Sequence, residues 1–233
     1  MGSSYFMNIL PIAYGFFRVA GALSFPVHYW KIRRYLGSHQ VRKLNIGCGH
    51  FPLPGWLNTD FNLFIKDAVY LDASARFPFP SGLFDFIFSE HLIEHLPYTA
   101  GLHFLKECSR VLKPGGRIRI ATPDLQFLIG LYNPLKTQVQ KEYIPWAGGK
   151  FLPEIKDPTE SFIINNFFKA WGHRFIYDYK TLKRSLEECG FSNLVQRSVG
   201  QSDVPEFSNL EVHGKMIGED FNRLETMVIE ASK

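Results

Sequence analysis

From about residue 43 onward, short apolar runs alternate with amphipathic stretches. Leu44–Ile46, Leu57–Asp60, Ala68–Asp72, Phe84–Ser89 and Arg117–Ala121 are too short for helices and read as buried strands. Between them, Glu90–Leu96 and Ala100–Leu112 read as helices. Leu102, Leu105, Cys108, Ser109 and Leu112 recur at helical spacing, so one face is core. Lys113-Pro114-Gly115-Gly116 ends the second helix, because proline cannot continue it and glycine accepts positive φ. Leu125–Tyr132 begins another. Asn133–Glu160, rich in proline and holding a Gly-Gly pair, reads as a long irregular segment of the kind used as a lid. Tyr179–Cys189 is amphipathic and closes on Gly190, and Ser192–Ser198 and Glu225–Ala231 complete the strands. The alternation predicts an α/β fold: an open, mostly parallel sheet with helices on both faces.

In such sheets ligands bind outside the carboxyl ends of the strands, where strand order reverses. Four predicted strands end there on Gly47, Asp60, Asp72 and Ser89. The first breaks into Gly47-Cys48-Gly49, a turn that lets a ligand approach backbone. The second presents Asp60, a carboxylate able to hydrogen-bond a ribose diol. The dinucleotide version of this motif is excluded. Pro52 stands where its third glycine belongs, and its acid lies roughly 20 residues beyond the glycines, much farther than Asp60. The first crossover must be short, about one helical turn around His50–Gly55, which leaves a nucleoside ligand without a pyrophosphate.

Composition narrows the class. The 233 residues are 45% hydrophobic and 15% aromatic, which suits one globular domain with a substantial core. A net charge of +4 predicts neither nucleic-acid binding nor an acidic tail. Cys48, Cys108 and Cys189 are widely spaced, form no zinc or disulfide framework, and make a reducing cytosol the simplest compartment. Cys48 reads as packing between the turn glycines. Residues 1–40 form a separate apolar and amphipathic segment. Met1–Ser4 reads as a remnant ahead of a natural start at Met7. Pro11, Arg18, Pro26 and His28 interrupt the apolar stretch, which argues against a membrane span of ~20 apolar residues. Lys31, Arg33 and Arg34 follow it. The segment therefore reads as a helix packed over the domain, as a lid, or as a peripheral membrane contact through residues 5–34.

The motifs together resemble a family. Leu44–Gly49, Gly55-Trp56-Leu57-Asn58-Thr59-Asp60, Phe84–Leu96, Glu107–Arg117 and Trp171-Gly172-His173-Arg174-Phe175 are similar to class I S-adenosylmethionine-dependent methyltransferases of the small type 11 group, especially a branch found among surface-polysaccharide genes. The resemblance covers about residues 43–233. It implies a Rossmann-like seven-stranded sheet with the last strand inserted antiparallel, residues 133–178 as an acceptor-side lid, and S-adenosylmethionine as cofactor. It places Gly47 and Gly49 under the methionine part, Asp60 at the ribose hydroxyls, Asp72 with the Ala73 backbone at the adenine, and Ser89, Glu90 and His91 beside the methionine carboxylate and the transferred methyl, with Asn45, Cys48 and Phe61 also among the cofactor-binding residues.

The reaction implied is in-line methyl transfer, O-directed, to a saccharide or another small metabolite. An alcohol acceptor needs its proton removed, so His91, Glu90 and His173 are the candidate bases. His173 lies in an aromatic stretch, Phe167–Tyr177, that suits stacking on a sugar; the alternative is a core stretch with a structural histidine. Asp124 reads as an acceptor contact or a helix cap. No metal requirement is visible. His91-Leu92-Ile93-Glu94-His95 also fits an inverted zinc-peptidase pattern, set against Glu94 and His95 packing beneath the cofactor loop. Two further readings are N-methylation of a small amine and a cofactor-binding fold that does not turn over and instead serves at a membrane surface or in an assembly.

Overall fold

The computed structural model describes residues 25–233. Helix α1 (Phe25–Ser38) leads into seven strands: β1 (Lys43–Ile46), β2 (Leu57–Asp60), β3 (Val69–Tyr70), β4 (Phe84–Glu90), β5 (Leu112–Pro123), β6 (Ser192–Arg197) and β7 (Thr226–Ser232). They form one sheet in the order β3-β2-β1-β4-β5-β7-β6. β1 to β5 are parallel, and β7 is inserted antiparallel between β5 and β6. Strand order reverses between β1 and β4, so their carboxyl ends make the binding crevice. The sheet's core is fully buried at Leu44, Phe84, Ile87, Ile118 and Val228.

The antiparallel β7 has a consequence for the site. Its register pairs Pro123, at the end of β5, with Thr226, at its own start. The residues just before β7 therefore arrive at the same edge as the ends of β1, β2 and β4.

Between β4 and β5 stand a short 3-10 turn (Ile93–His95) and α2 (Tyr98–Val111), which buries Phe104, Leu105, Cys108 and Val111 against the sheet. The helix expected over Glu90–Leu96 is only this turn: β4 continues through Glu90, and His91 has φ of 48°. The strand expected over Ala68–Asp72 shrinks to Val69–Tyr70. Lys113–Gly116 lies within β5, where a register irregularity takes up the extra residues.

The segment expected to be irregular is largely helical. After α3 (Leu125–Gly130) come α4 (Gln138–Phe151) and α5 (Glu160–Lys169). Thr137 and Gln140 close a reciprocal capping box that starts α4 despite Pro145 inside it. The Gly-Gly pair is not a turn: a Cβ at Gly148 would meet Pro158 Cγ at 2.1 Å, so glycine permits close packing of helix on loop. Phe127, Tyr143, Ile163, Phe167 and Ile176 form a second aromatic core here, flanked by Trp146 and Trp171. The last helices are α6 (Tyr179–Glu188), α7 (Gly214–Ile217) and α8 (Glu219–Glu225). α1 packs through Ile32 and Tyr35, whose hydroxyl accepts from Lys43 N–H at 2.8 Å, while Tyr29 and Trp30 stay exposed. Among the described residues no helix is long and apolar enough to cross a membrane. The calls on residues 1–24 lie outside the described residues.

Candidate active site

The glycine turn is held from β2. Gly47 N–H and Cys48 N–H both donate to Thr59 O, at 2.9 and 3.0 Å. Gly47 has φ of 77°, and a Cβ there would meet Leu92 Cδ1 at 2.3 Å, so both backbone and space demand glycine. Asp60 clasps the same turn: its carboxylate accepts from Gly49 N–H at 2.9 Å and from Asn62 N–H at 2.8 Å. Burial raises its pKa, and those two amides oppose the rise. The short spacing from Gly49 to Asp60 needs no helix. Asn58 Oδ1 accepts from Asn45 Nδ2 at 2.9 Å and from Leu53 N–H at 2.8 Å, which folds the crossover back onto β1. Asn45 thus positions the loop. Cys48 is buried and its thiol is pushed up to about 12, mainly by desolvation, which makes it inert as a nucleophile.

Beyond β3, Asp72 accepts from Ser74 N–H at 2.9 Å, with Ala73 buried beside it. Phe61 packs on Tyr70 with ring centroids 5.7 Å apart. At the end of β4, Ser89 is buried and its hydroxyl has no hydrogen-bond partner among the described residues. Glu90 is committed to backbone, accepting from Val212 N–H at 3.0 Å and His213 N–H at 3.1 Å. That loop is fixed from its other side by Arg119, fully buried between Glu211 (2.6 Å) and Glu230 (2.5 Å).

Around His91 the chain gathers four histidines and two further carboxylates. His91 Nδ1 donates to Glu94 Oε1 at 3.0 Å, and Thr122 Oγ1 donates to Glu94 Oε2 at 3.1 Å. Burial opposes charge on both, yet their mutual hydrogen bond and attraction win, raising His91 and lowering Glu94. The rings of His91 and His213 stand 4.0 Å apart. His213 Nε2 lies 3.1 Å from Glu225 Oε1, and Tyr143 OH donates to Glu225 Oε2 at 2.5 Å. His213 is lowered by burial first, then by the charge on His91. On the other side of Glu94, the His95 and His173 rings are 5.0 Å apart. His173 Nδ1 donates to Phe167 O at 2.6 Å, and burial lowers its pKa. It is therefore a neutral imidazole with a free Nε2 lone pair.

Two comparisons bear on this arrangement. Residues 55–120 match the family model described as a methyltransferase domain. Over those residues the chain is similar to methyltransferases of this family. Solved structures agree on the fold. An S-adenosylmethionine-dependent methyltransferase from Mesorhizobium loti superposes with a TM-score of 0.53 at 13% identity, covering 88% of this chain and 98% of that one. One from Archaeoglobus fulgidus gives 0.50 at 18% identity, covering 93% and 94%.

The residues of this crevice fit S-adenosylmethionine. Gly49 has open space where a Cβ would point, Asp60 keeps an acceptor lone pair on each oxygen after its two amides, and Ser89 offers a buried hydroxyl without a partner. Asp124, by contrast, caps α3 by accepting from Gln126 N–H. The zinc-peptidase pattern fails because it needs one helix carrying both histidines on one face. Here His91 packs against His213, and His95 meets His173 edge-on. Trp171 packs between Phe151 and Phe167 as core. The sequence reading missed His213, Glu225, Tyr143 and Thr226. One signal was present: an antiparallel last strand must start at the carboxyl edge, which puts the residues just before it into the site.

Proposed function

We propose that this methyltransferase moves the methyl group of S-adenosylmethionine to an oxygen of a small polar acceptor, a saccharide hydroxyl in the first instance. The carrying observation is the histidine–carboxylate cluster set at the end of β4. A neutral amine needs no group to remove a proton at transfer, whereas an alcohol does. When bound, the cofactor supplies an electrophilic methyl on sulfonium.

The chain's residues do the rest by position and proton control. Gly47, Gly49 and Asp60 hold the cofactor's methionine and ribose ends, Asp72 with Ala73 takes the adenine, and Ser89 meets the methionine carboxylate. Fixing two reactants in line supplies several kcal/mol of the barrier reduction. His173 is the base we assign. Its Nδ1–H is spent on Phe167 O, so Nε2 can accept the acceptor's proton. His91, whose Nδ1 is paired with Glu94, is the second candidate. Glu90 serves by anchoring the loop before α7. α4, α5 and the stretch to Tyr177 form the acceptor-side lid.

The direct test is methyl transfer from labelled cofactor to a panel of sugars and amines. Labelled sugar, lost in His173→Ala with cofactor affinity kept, supports the reading. Labelled amine alone overturns it.

A further inference from the structure

We propose that His91, His213 and Glu225 form a binding site for one divalent transition-metal ion of the zinc type, beside the methyl-transfer site. The inference deepens the proposed function, because the ion would sit on the acceptor side of that same crevice.

The ligand atoms of the three residues lie within 4.8 Å of one another. In a tetrahedral zinc site with bonds of about 2.0–2.1 Å, neighbouring ligand atoms are about 3.3 Å apart. His213 Nε2 and Glu225 Oε1 are already 3.1 Å apart, and the His91 ring lies against the His213 ring with centroids 4.0 Å apart and planes tilted by 39°. The farthest pair, at most 4.8 Å apart, closes to that spacing by rotation of the side chains. Two imidazoles and one carboxylate leave a fourth position open, the pattern of reactive rather than structural zinc.

The surroundings have the second layer that metal ligands require. His91 Nδ1 donates to buried Glu94, which fixes the ring and leaves Nε2 on the side of Thr226 Oγ1, 3.5 Å away. Glu225 is held by the Tyr143 hydroxyl through its other oxygen, leaving Oε1 for the ion. Glu94 pairs with His91 and Glu225 with His213, and among the described residues no Lys or Arg forms an ion pair with either carboxylate. The neighbouring set Glu94, His95 and His173 also comes together. It is the poorer site, since both Glu94 oxygens are engaged by His91 and Thr122.

The test uses the full chain, stripped with a chelator and titrated with Co2+, then with competing Zn2+. One equivalent of Co2+ should give the visible absorption of four- or five-coordinate cobalt, abolished by Zn2+. His213→Gln and Glu225→Gln should each weaken binding at least tenfold. His103→Gln, an exposed histidine on α2, should bind like the parent. Circular dichroism and S-adenosylhomocysteine titration on the same samples establish that each variant is folded. Absence of the cobalt spectrum, or unchanged affinity in folded His213→Gln, overturns the metal site. If cofactor binds in that sample, the methyl-transfer reading stands without the metal; if metal binds and cofactor does not, the reverse holds.

Discussion

Replacing Asp60 by alanine removes the carboxylate that joins the glycine turn to β2 and, on this account, grips the ribose. In the protein alone, Gly49 N–H and Asn62 N–H lose their acceptor. Hydrogen bonds to a charged group contribute about 1.5–3 kcal/mol each, so two set a ceiling of about 6 kcal/mol. Asp60 is 3% exposed, and its raised pKa shows that the cost of burying the charge outweighs what the two amides return to the ionised form. The loss in unfolding free energy is therefore that of leaving amides without an acceptor, about 1–3 kcal/mol. For the cofactor, losing one or two charge-assisted bonds of the same size lowers affinity by about 10- to 100-fold or more. Asp60→Asn separates the two effects: one amide keeps an acceptor oxygen, while the other faces an NH2 group. Urea unfolding and calorimetric titration with S-adenosylhomocysteine read both quantities. Undiminished affinity in Asp60→Ala would take the residue out of the ribose site. An unchanged unfolding midpoint would refute the clasp.

Gly47→Ala should nearly abolish cofactor binding, since a Cβ would overlap Leu92 and φ of 77° strains an L-residue by about 1–2 kcal/mol; Gly47→Ala combined with Leu92→Ala should recover part of it, measured by titration. The Glu107 pKa is lowered by its hydrogen bonds to Arg110, and those act with the Phe77 amide. A depressed acid contributes stability that is present above its unfolded pKa and lost as pH falls through the folded one. Glu107→Gln should therefore lower the urea midpoint at pH 7 and match the parent in strong acid; a constant gap across pH would disprove the linkage. Cys48, with its thiol near 12, should react with a disulfide reagent only on unfolding; rapid labelling of native protein would contradict its placement.

The crevice was legible because strand ends announce themselves. Gly47, Asp60, Asp72 and Ser89 each close an apolar run, and parallel topology forces such ends to one edge. Short elements were less legible. The stretch after Glu90 has helical periodicity, yet the Glu94 side chain is drawn inward to His91 and its carbonyl outward to the Arg174 and Phe175 amides, so only one 3-10 turn forms. In α4, Pro145 and the Gly-Gly pair are local breaking signals overruled by the Thr137–Gln140 capping box and by aromatic burial around Tyr143. Two members of the histidine–carboxylate cluster escaped because His213 and Glu225 are far from His91 in sequence. They meet it only through the antiparallel insertion of β7 and the Glu90 anchor, two tertiary facts without a local pattern.

The central claim is that the crevice outside β1, β2 and β4 holds S-adenosylmethionine. Isothermal titration of the full chain with S-adenosylmethionine and S-adenosylhomocysteine tests it most directly. The account predicts saturable binding of each at one site, lost in Gly47→Ala and weakened in Asp60→Ala. No heat of binding with a folded protein, or binding indifferent to both substitutions, would contradict it.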